Sequence, residues 1–469
     1  MAKAKTIEIV RLANPWFVGQ YVNRIVPIFL VHNLVARLYS DKPETTKILQ
    51  VCKGAPQESA KLECFTDKQP NEVQLDLLQR SMFATFSPDR RVFGNSKGDP
   101  QGSPTPILAN IASKTASDDG LGNRVFELLR DCLGSSWRNQ LGSLMEPAEY
   151  EDPVSALAAC IAGRSNRERA PVLEQDEPRE DITPIENSVS SFIDSLFRRT
   201  HAGNRIASIE DFGRGAYFGA LLLLITLAIE KYEDERCLLF VYGGRPPGAP
   251  DDFLVQAAGR SFRRVIRRSA KAVATGLSKE LVLVDVPKAI EKKDHTIFRF
   301  RQLLTHLKPV EIEAIIKEVT EADLENKELP DQEWCEQLLE NVVGLNEAEF
   351  ARRVRGLGGH VGFSGPRRGR GIPRLFFETP LLGTLVRGIC GQQSMPFEDF
   401  VDELRSQLGL VVGIGTLEAA QIDVGHIFGP ANPDEVLRQN EEILRRRLVR
   451  SGLARTYSDS HTEVVANDS

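Results

Sequence analysis

The chain of 469 residues is too long for one ordinary hydrophobic core, so it reads as several domains. Its 41% hydrophobic and 26% charged residues exclude a fibrous or largely disordered polypeptide. The net charge of −6 neither favours nor excludes nucleic acid, because the sum hides an uneven distribution along the chain.

Residues 1–161 read as a helical N-terminal domain. The apolar run from Trp16 to Leu38 is interrupted by Arg24, Pro27, His32 and Arg37, which suits neither a signal peptide nor a membrane span. Helices are expected over Phe17–Tyr39, Asn71–Phe86 and Asn123–Leu133. Between the last two, Phe93 to Pro106 is dense in Gly, Pro and small polar residues and reads as a loop. Its Lys97 and glycines lack the spacing of a phosphate loop. Residues 162–184 form a charged linker, in which Arg164, Arg167 and Arg169 precede the acidic run Glu174–Asp181.

Residues 185–309 read as an α/β middle domain. Val189–Phe197 and Gly215–Ile229 are expected helices, and Ala216–Ile229 is a buried core helix because it is too short for a bilayer once flanking charges are excluded. The apolar run from Cys237 to Tyr242, ended by Gly243 and Gly244, reads as a buried strand. Asp251 and Asp252 suit the amino end of a helix continuing to Ala274. Glu280–Val286 reads as a second strand, giving a βαβ unit and a small parallel sheet. A ligand beyond the carboxyl ends, near Gly243, Gly244 and Asp285, is the functional reading of that unit, and an ordinary packed layer is the simpler one.

Charge is segregated from here on. The 251–274 helix carries Arg260, Arg263, Arg264, Arg267, Arg268 and Lys271 with no acid between Phe253 and Lys279. At ~100° per residue most of these cations share one side, opposite Phe262, Val265, Ile266 and Val273. Like charges one turn apart repel by a few tenths of a kcal/mol, so a compensating anion is expected. Residues 310–350 form an acidic helical connector. From Glu311 to Glu349 thirteen acids face only Lys317 and Lys327, a net of −11. Residues 351–375 form an Arg/Gly-rich loop whose Arg367, Arg368 and Arg370 are expected to neutralise phosphates through bidentate guanidinium contacts. Either nucleic-acid phosphates or the acidic connector itself satisfies the basic elements.

Residues 376–469 read as a winged-helix-like domain. Helices are expected over Thr379–Ile389 and Phe397–Leu408, followed by a short strand at Gly409–Gly415. Asn432-Pro433-Asp434 starts a third helix, stopped by Gly452. Leu453–Tyr457 and Thr462–Val465 then make a hairpin. In nucleic-acid-binding winged helices the third helix enters the major groove, which singles out Arg445 and Arg446. The run Gly409-Leu-Val-Val-Gly, with Asn440, Leu444, Leu448 and Gly452-Leu-Ala-Arg-Thr-Tyr-Ser-Asp, resembles the tails of proteins in bacterial anti-phage defence gene clusters. The resemblance covers about the last hundred residues. It implies a subunit working beside an ATPase, helicase or nuclease that recognises foreign DNA.

No nucleophile signature is present, and the dispersed histidines offer no ligand pairs, so neither catalytic residues, a metal nor a cofactor is expected. The seven scattered cysteines fit reduced thiols and a cytoplasmic location. The expected fold is α+β and predominantly helical. The expected function is a non-catalytic, DNA-linked subunit of a defence complex. Alternatives are a protein-only scaffold and a metal-dependent nuclease acting through Asp285 and Lys293.

Overall fold

The computed structural model describes residues 7–19, 25, 27, 30, 31, 33, 34, 119–133, 137, 138, 140, 141, 181–197, 205–244, 252–283, 332–340, 344–366, 371–391, 393–415, 433–458 and 461–465. In chain order these form α1 (Ile7–Ala13), α2 (Leu121–Leu133), α3 (Pro184–Phe197), α4 (Arg205–Glu233), β1 (Leu239–Phe240), α5 (Phe253–Leu283), α6 (Gln332–Leu338) and α7 (Glu347–Val361). Next come β2 (Ser364–Gly365), β3 (Arg374–Leu375), α8 (Thr379–Cys390), β4 (Met395–Pro396), α9 (Phe397–Leu408), β5 (Leu410–Val411), α10 (Pro433–Arg450), β6 (Ala454–Ser458) and β7 (His461–Val464). The protein is thus predominantly helical with small sheets, as expected.

Local chemistry explains where the helices start and stop. At α3, Thr183 N donates to Glu186 Oε2 at 3.0 Å, and Glu186 N donates to Thr183 Oγ1 at 3.4 Å. This reciprocal capping box, with Pro184 in the first turn, starts the helix five residues before Val189. Asp252 caps α5 by accepting from Leu254 N at 2.8 Å. Asn346 caps α7 in the same way through Glu349 N, at 2.9 Å. Gly362 and Gly409, at φ of 80° and 69°, end α7 and α9 in the left-handed region that glycine adopts without strain.

The chain divides into two compact units, one of residues 1–23, 183–192 and 218–469, the other of residues 24–182 and 193–217. In the first, the stretch of α4 from Phe218 to Ile229 is apolar all round and buried throughout. Ser208–Glu233 is long and apolar enough to cross a membrane, and 94% of its most apolar 18-residue window is buried inside the protein. Asn14 Nδ2 donates to Leu224 O at 2.9 Å, and Ser269 Oγ on α5 donates to Ile225 O. Phe218 packs edge-on against Phe363, with centroids 4.8 Å apart. In the second unit, Trp137 meets Phe126 edge-on at 5.2 Å and stacks with Phe197, and Arg138 lies over the Phe126 ring. There Tyr217 Oη donates to Ile25 O at 2.7 Å.

The sheets differ from expectation. β1 pairs in parallel, but its partner is β5, with Leu239 opposite Leu410 and Phe240 opposite Val411. Tyr242 bridges in parallel to Phe376. The expected second strand does not form: residues 280–283 continue α5, and 284–286 lie outside the described residues. The parallel βαβ unit is therefore corrected to a strand pair 171 residues apart in sequence. An apolar run of four residues at a helix end is equally at home in a strand, and here the helix continued.

Two more expectations are corrected. The helix from Phe17 does not begin there, since residues 14–19 are irregular and residue 25 is not helical; helical residues appear at 27, 30, 31, 33 and 34. The Arg/Gly-rich stretch is regular over much of its length, because Arg352, Arg353, Arg355, Gly356, Gly358 and Gly359 all belong to α7. A Cβ at Gly358 would stand 2.2 Å from Ser364 Oγ, so this glycine serves close packing of α7 on β2. The expected helix at 71–86, the 93–106 loop, and most of the 162–184 linker lie outside the described residues.

The C-terminal elements follow the expected bounds closely. Leu381, Leu382, Leu385 and Val386 of α8 and Phe397, Phe400, Val401, Leu404 and Leu408 of α9 are buried. β6 and β7 form an antiparallel hairpin, and β4 joins the outer edge of β7, giving the strand order β4-β7-β6.

Candidate nucleic-acid interface

α5 is built as a two-sided helix. Phe262, Val265, Ile266, Ala272, Val273 and Leu277 are buried, while Arg260, Arg263, Arg264, Arg267 and Lys271 are exposed. At ~100° and ~1.5 Å per residue, Arg260, Arg264, Arg267 and Lys271 lie within a ~60° arc along ~17 Å of axis. That length matches about five base steps of duplex DNA.

The cations are not all equally available. Arg267 pairs with Glu347 at 3.0 Å, though its side chain remains 68% exposed. Arg268 pairs with Glu233 at 2.6 Å and also with Glu235. Burial would lower its pKa, but hydrogen bonds and the charges of those two glutamates outweigh burial and raise it. Arg263 turns back to Gly259 O at 3.4 Å. Arg260, Arg264 and Lys271 form no ion pair among the described residues.

Arg367, Arg368 and Arg370 lie outside the described residues. Their neighbour Ile372 packs on Gly259, where an added Cβ would approach Ile372 Cγ2 to 2.2 Å, so the chain re-enters beside Arg260. Arg352 and Arg353 of that stretch serve the fold. Arg352 pairs with Glu349 at 2.7 Å. Arg353, 2% exposed, donates through Nε to Val18 O at 3.1 Å, pairs with Glu349 and lies 4.8 Å from the Phe17 ring centroid. Burial pushes the Glu349 carboxyl up, and the two arginines more than reverse that, leaving its pKa low.

The third helix of the C-terminal segment also keeps most of its arginines at home. Arg445 bridges Glu398 at 2.9 Å, lies near Glu441 and Glu442, and covers the Phe397 ring. Arg446 pairs with Glu442 at 2.7 Å on the solvent side. Asn440 is fully buried: its Nδ2 donates to Val241 O at 2.8 Å and Val412 O at 2.7 Å, and its Oδ1 accepts from Gly243 N at 2.8 Å. Glu441 accepts from Ile414 N and Gly415 N, and burial raises its pKa despite these bonds. Sequence reasoning missed this tie between α10 and the parallel strands; a lone Asn among the apolar positions of a helix was its only signal. The Gly243 amide of the expected ligand turn is taken by Asn440 Oδ1.

Asp285 and Lys293 lie outside the described residues. Among the described residues no group of three or more His, Cys, Asp or Glu side chains is placed to hold a metal ion. No family model and no curated protein matches this chain.

Proposed function

We propose that the chain is a non-catalytic, DNA-linked subunit of a cytoplasmic bacterial anti-phage defence complex, working beside an ATPase, helicase or nuclease. Its contact with nucleic acid runs along the exposed face of α5. The observation that carries this reading is the row Arg260, Arg264 and Lys271, solvent-exposed and without ion-pair partners among the described residues. A row of mobile cations along one helix face neutralises backbone phosphates without reading bases. Arg367, Arg368 and Arg370, which the sequence marks as phosphate-neutralising, are proposed to contribute to the same contact.

The C-terminal segment is proposed to be a winged helix. Support comes from the order α8, β4, α9, β5, α10, β6, β7 and from β4 lying on the outer edge of β7. With Arg445 and Arg446 held by glutamates, this segment is assigned mainly to docking. Tyr457, 61% exposed on the hairpin, is available for such a contact.

Fluorescence anisotropy with a labelled duplex at low salt tests the reading. The wild-type protein binds, and a variant with Arg260, Arg264 and Lys271 changed to Gln binds at least about tenfold more weakly. Absence of wild-type binding at low salt, alone and with its partner proteins, removes the reading. The pairing of Arg267 and Arg268 with glutamates favours a second one, a scaffold that binds only protein. Capture of partner proteins that survives nuclease treatment, with no DNA binding, would select it.

A further inference from the structure

We infer that the carboxyl end of β1 binds a small oxyanion of phosphate type, gripped side-on by the guanidinium of Arg374. The turn at Gly243 and Gly244 follows β1, and α5 begins nearby with Asp252 as its cap. The amino end of a 31-residue helix places positive partial charge there, which on its own defines no site.

The decisive group is Arg374, 3% exposed at the start of β3. Its Nη1 donates to Ile372 O at 3.0 Å, while its Nε and Nη2 are buried and meet no acceptor among the described residues. These two nitrogens lie on one edge of the planar guanidinium. That edge offers two parallel N–H donors, the geometry that holds two oxygens of a phosphate or carboxylate. A buried cation with two unmet donors is costly, and a bound oxyanion removes both the unpaired charge and the unmet bonds.

The surroundings select for negative charge. Arg374 Cζ lies 5.3 Å from the Tyr242 ring centroid. Arg447, 7% exposed, reaches the same turn from α10, its Nη1 donating to Gly243 O at 3.3 Å and Gly244 O at 3.2 Å. Among the described residues, Asp252 stands against these two guanidiniums, its Oδ1 occupied by the Leu254 amide. Burial first, then the Asp252 charge, raises the Tyr242 pKa, so its phenol stays protonated near neutral pH and available as a donor. Two cations facing one acid favour a phosphate over a monoanionic carboxylate.

Calorimetric titration of the full chain with inorganic phosphate, at constant ionic strength with chloride as the balance, tests the inference. Phosphate binds saturably, and acetate binds more weakly. Arg374→Lys, which keeps the charge but loses the two-donor edge, weakens phosphate binding at least about tenfold. The variant carrying Gln at 260, 264 and 271 binds phosphate as the wild type does, which separates this site from the α5 face. In crystals grown with selenate, the anomalous peak lies on the Nε–Nη2 edge of Arg374. No saturable binding by the wild type, equal binding by Arg374→Lys, loss of binding in the α5 variant, or a selenate peak only elsewhere overturns the inference.

Discussion

Asn440 shows how much one polar side chain contributes when buried in the right place. An amide has two donors and an acceptor, and here three of its bonds go to backbone groups at Val241, Val412 and Gly243. Those groups lie at the ends of β1 and β5, where the strands have run out of partners. Asn440→Leu leaves all three backbone groups unpaired in the core and is expected to cost at least about 3 kcal/mol, measured by urea unfolding. Asn440→Asp brings a carboxylate against two carbonyl oxygens and is no milder. A loss under about 1 kcal/mol would mean that water replaces the side chain. Arg353 is a second residue whose role the sequence concealed. It sits in a run of arginines and glycines that suggests a solvated loop, yet it is sequestered between Val18, Phe17 and Glu349. Composition reports charge; it does not report which guanidinium the fold turns inward.

At the scale of elements, helices were legible wherever capping chemistry and apolar spacing agreed. Phe397–Leu408 was read to the residue, and α10 begins at the Pro433 expected to start it. The start of α3 is less legible, because the Thr183–Glu186 capping box lies at the edge of a stretch whose composition is that of a charged linker. Thr183→Ala removes the side-chain half of that box and is expected to lower stability by about 1 kcal/mol, measured by chemical denaturation. On α7, the low pKa of Glu349 makes its contribution depend on pH. A carboxyl held below its ordinary value stabilises the fold above that value and stops doing so as pH falls through its folded pKa. Glu349→Gln is therefore expected to destabilise at pH 7, with the difference from wild type closing as both are acidified to about pH 2. A difference constant over that range would show that the Arg352 and Arg353 pairs do not set the titration.

At the scale of the whole molecule, the sheet was the least legible feature and the charge segregation the most. Leu239 finds its partner at Leu410, and no local pattern announces pairing across such a separation. The Leu281-Val-Leu run supplied a nearer partner that α5 absorbed into its last turn. The basic face of α5 was legible because six cations on a helix with no intervening acid leave a readable period. What the sequence did not disclose is that Glu347, Glu233 and Glu235 occupy Arg267 and Arg268, which leaves Arg260, Arg264 and Lys271 as the open row.

The salt dependence of duplex-DNA binding reads that row most directly. If Arg260, Arg264 and Lys271 each displace a counterion from one phosphate, changing all three to Gln lowers the slope of log K against log salt by about 2.7 in magnitude. An unchanged slope, or no salt-dependent binding by the wild type, would contradict the account.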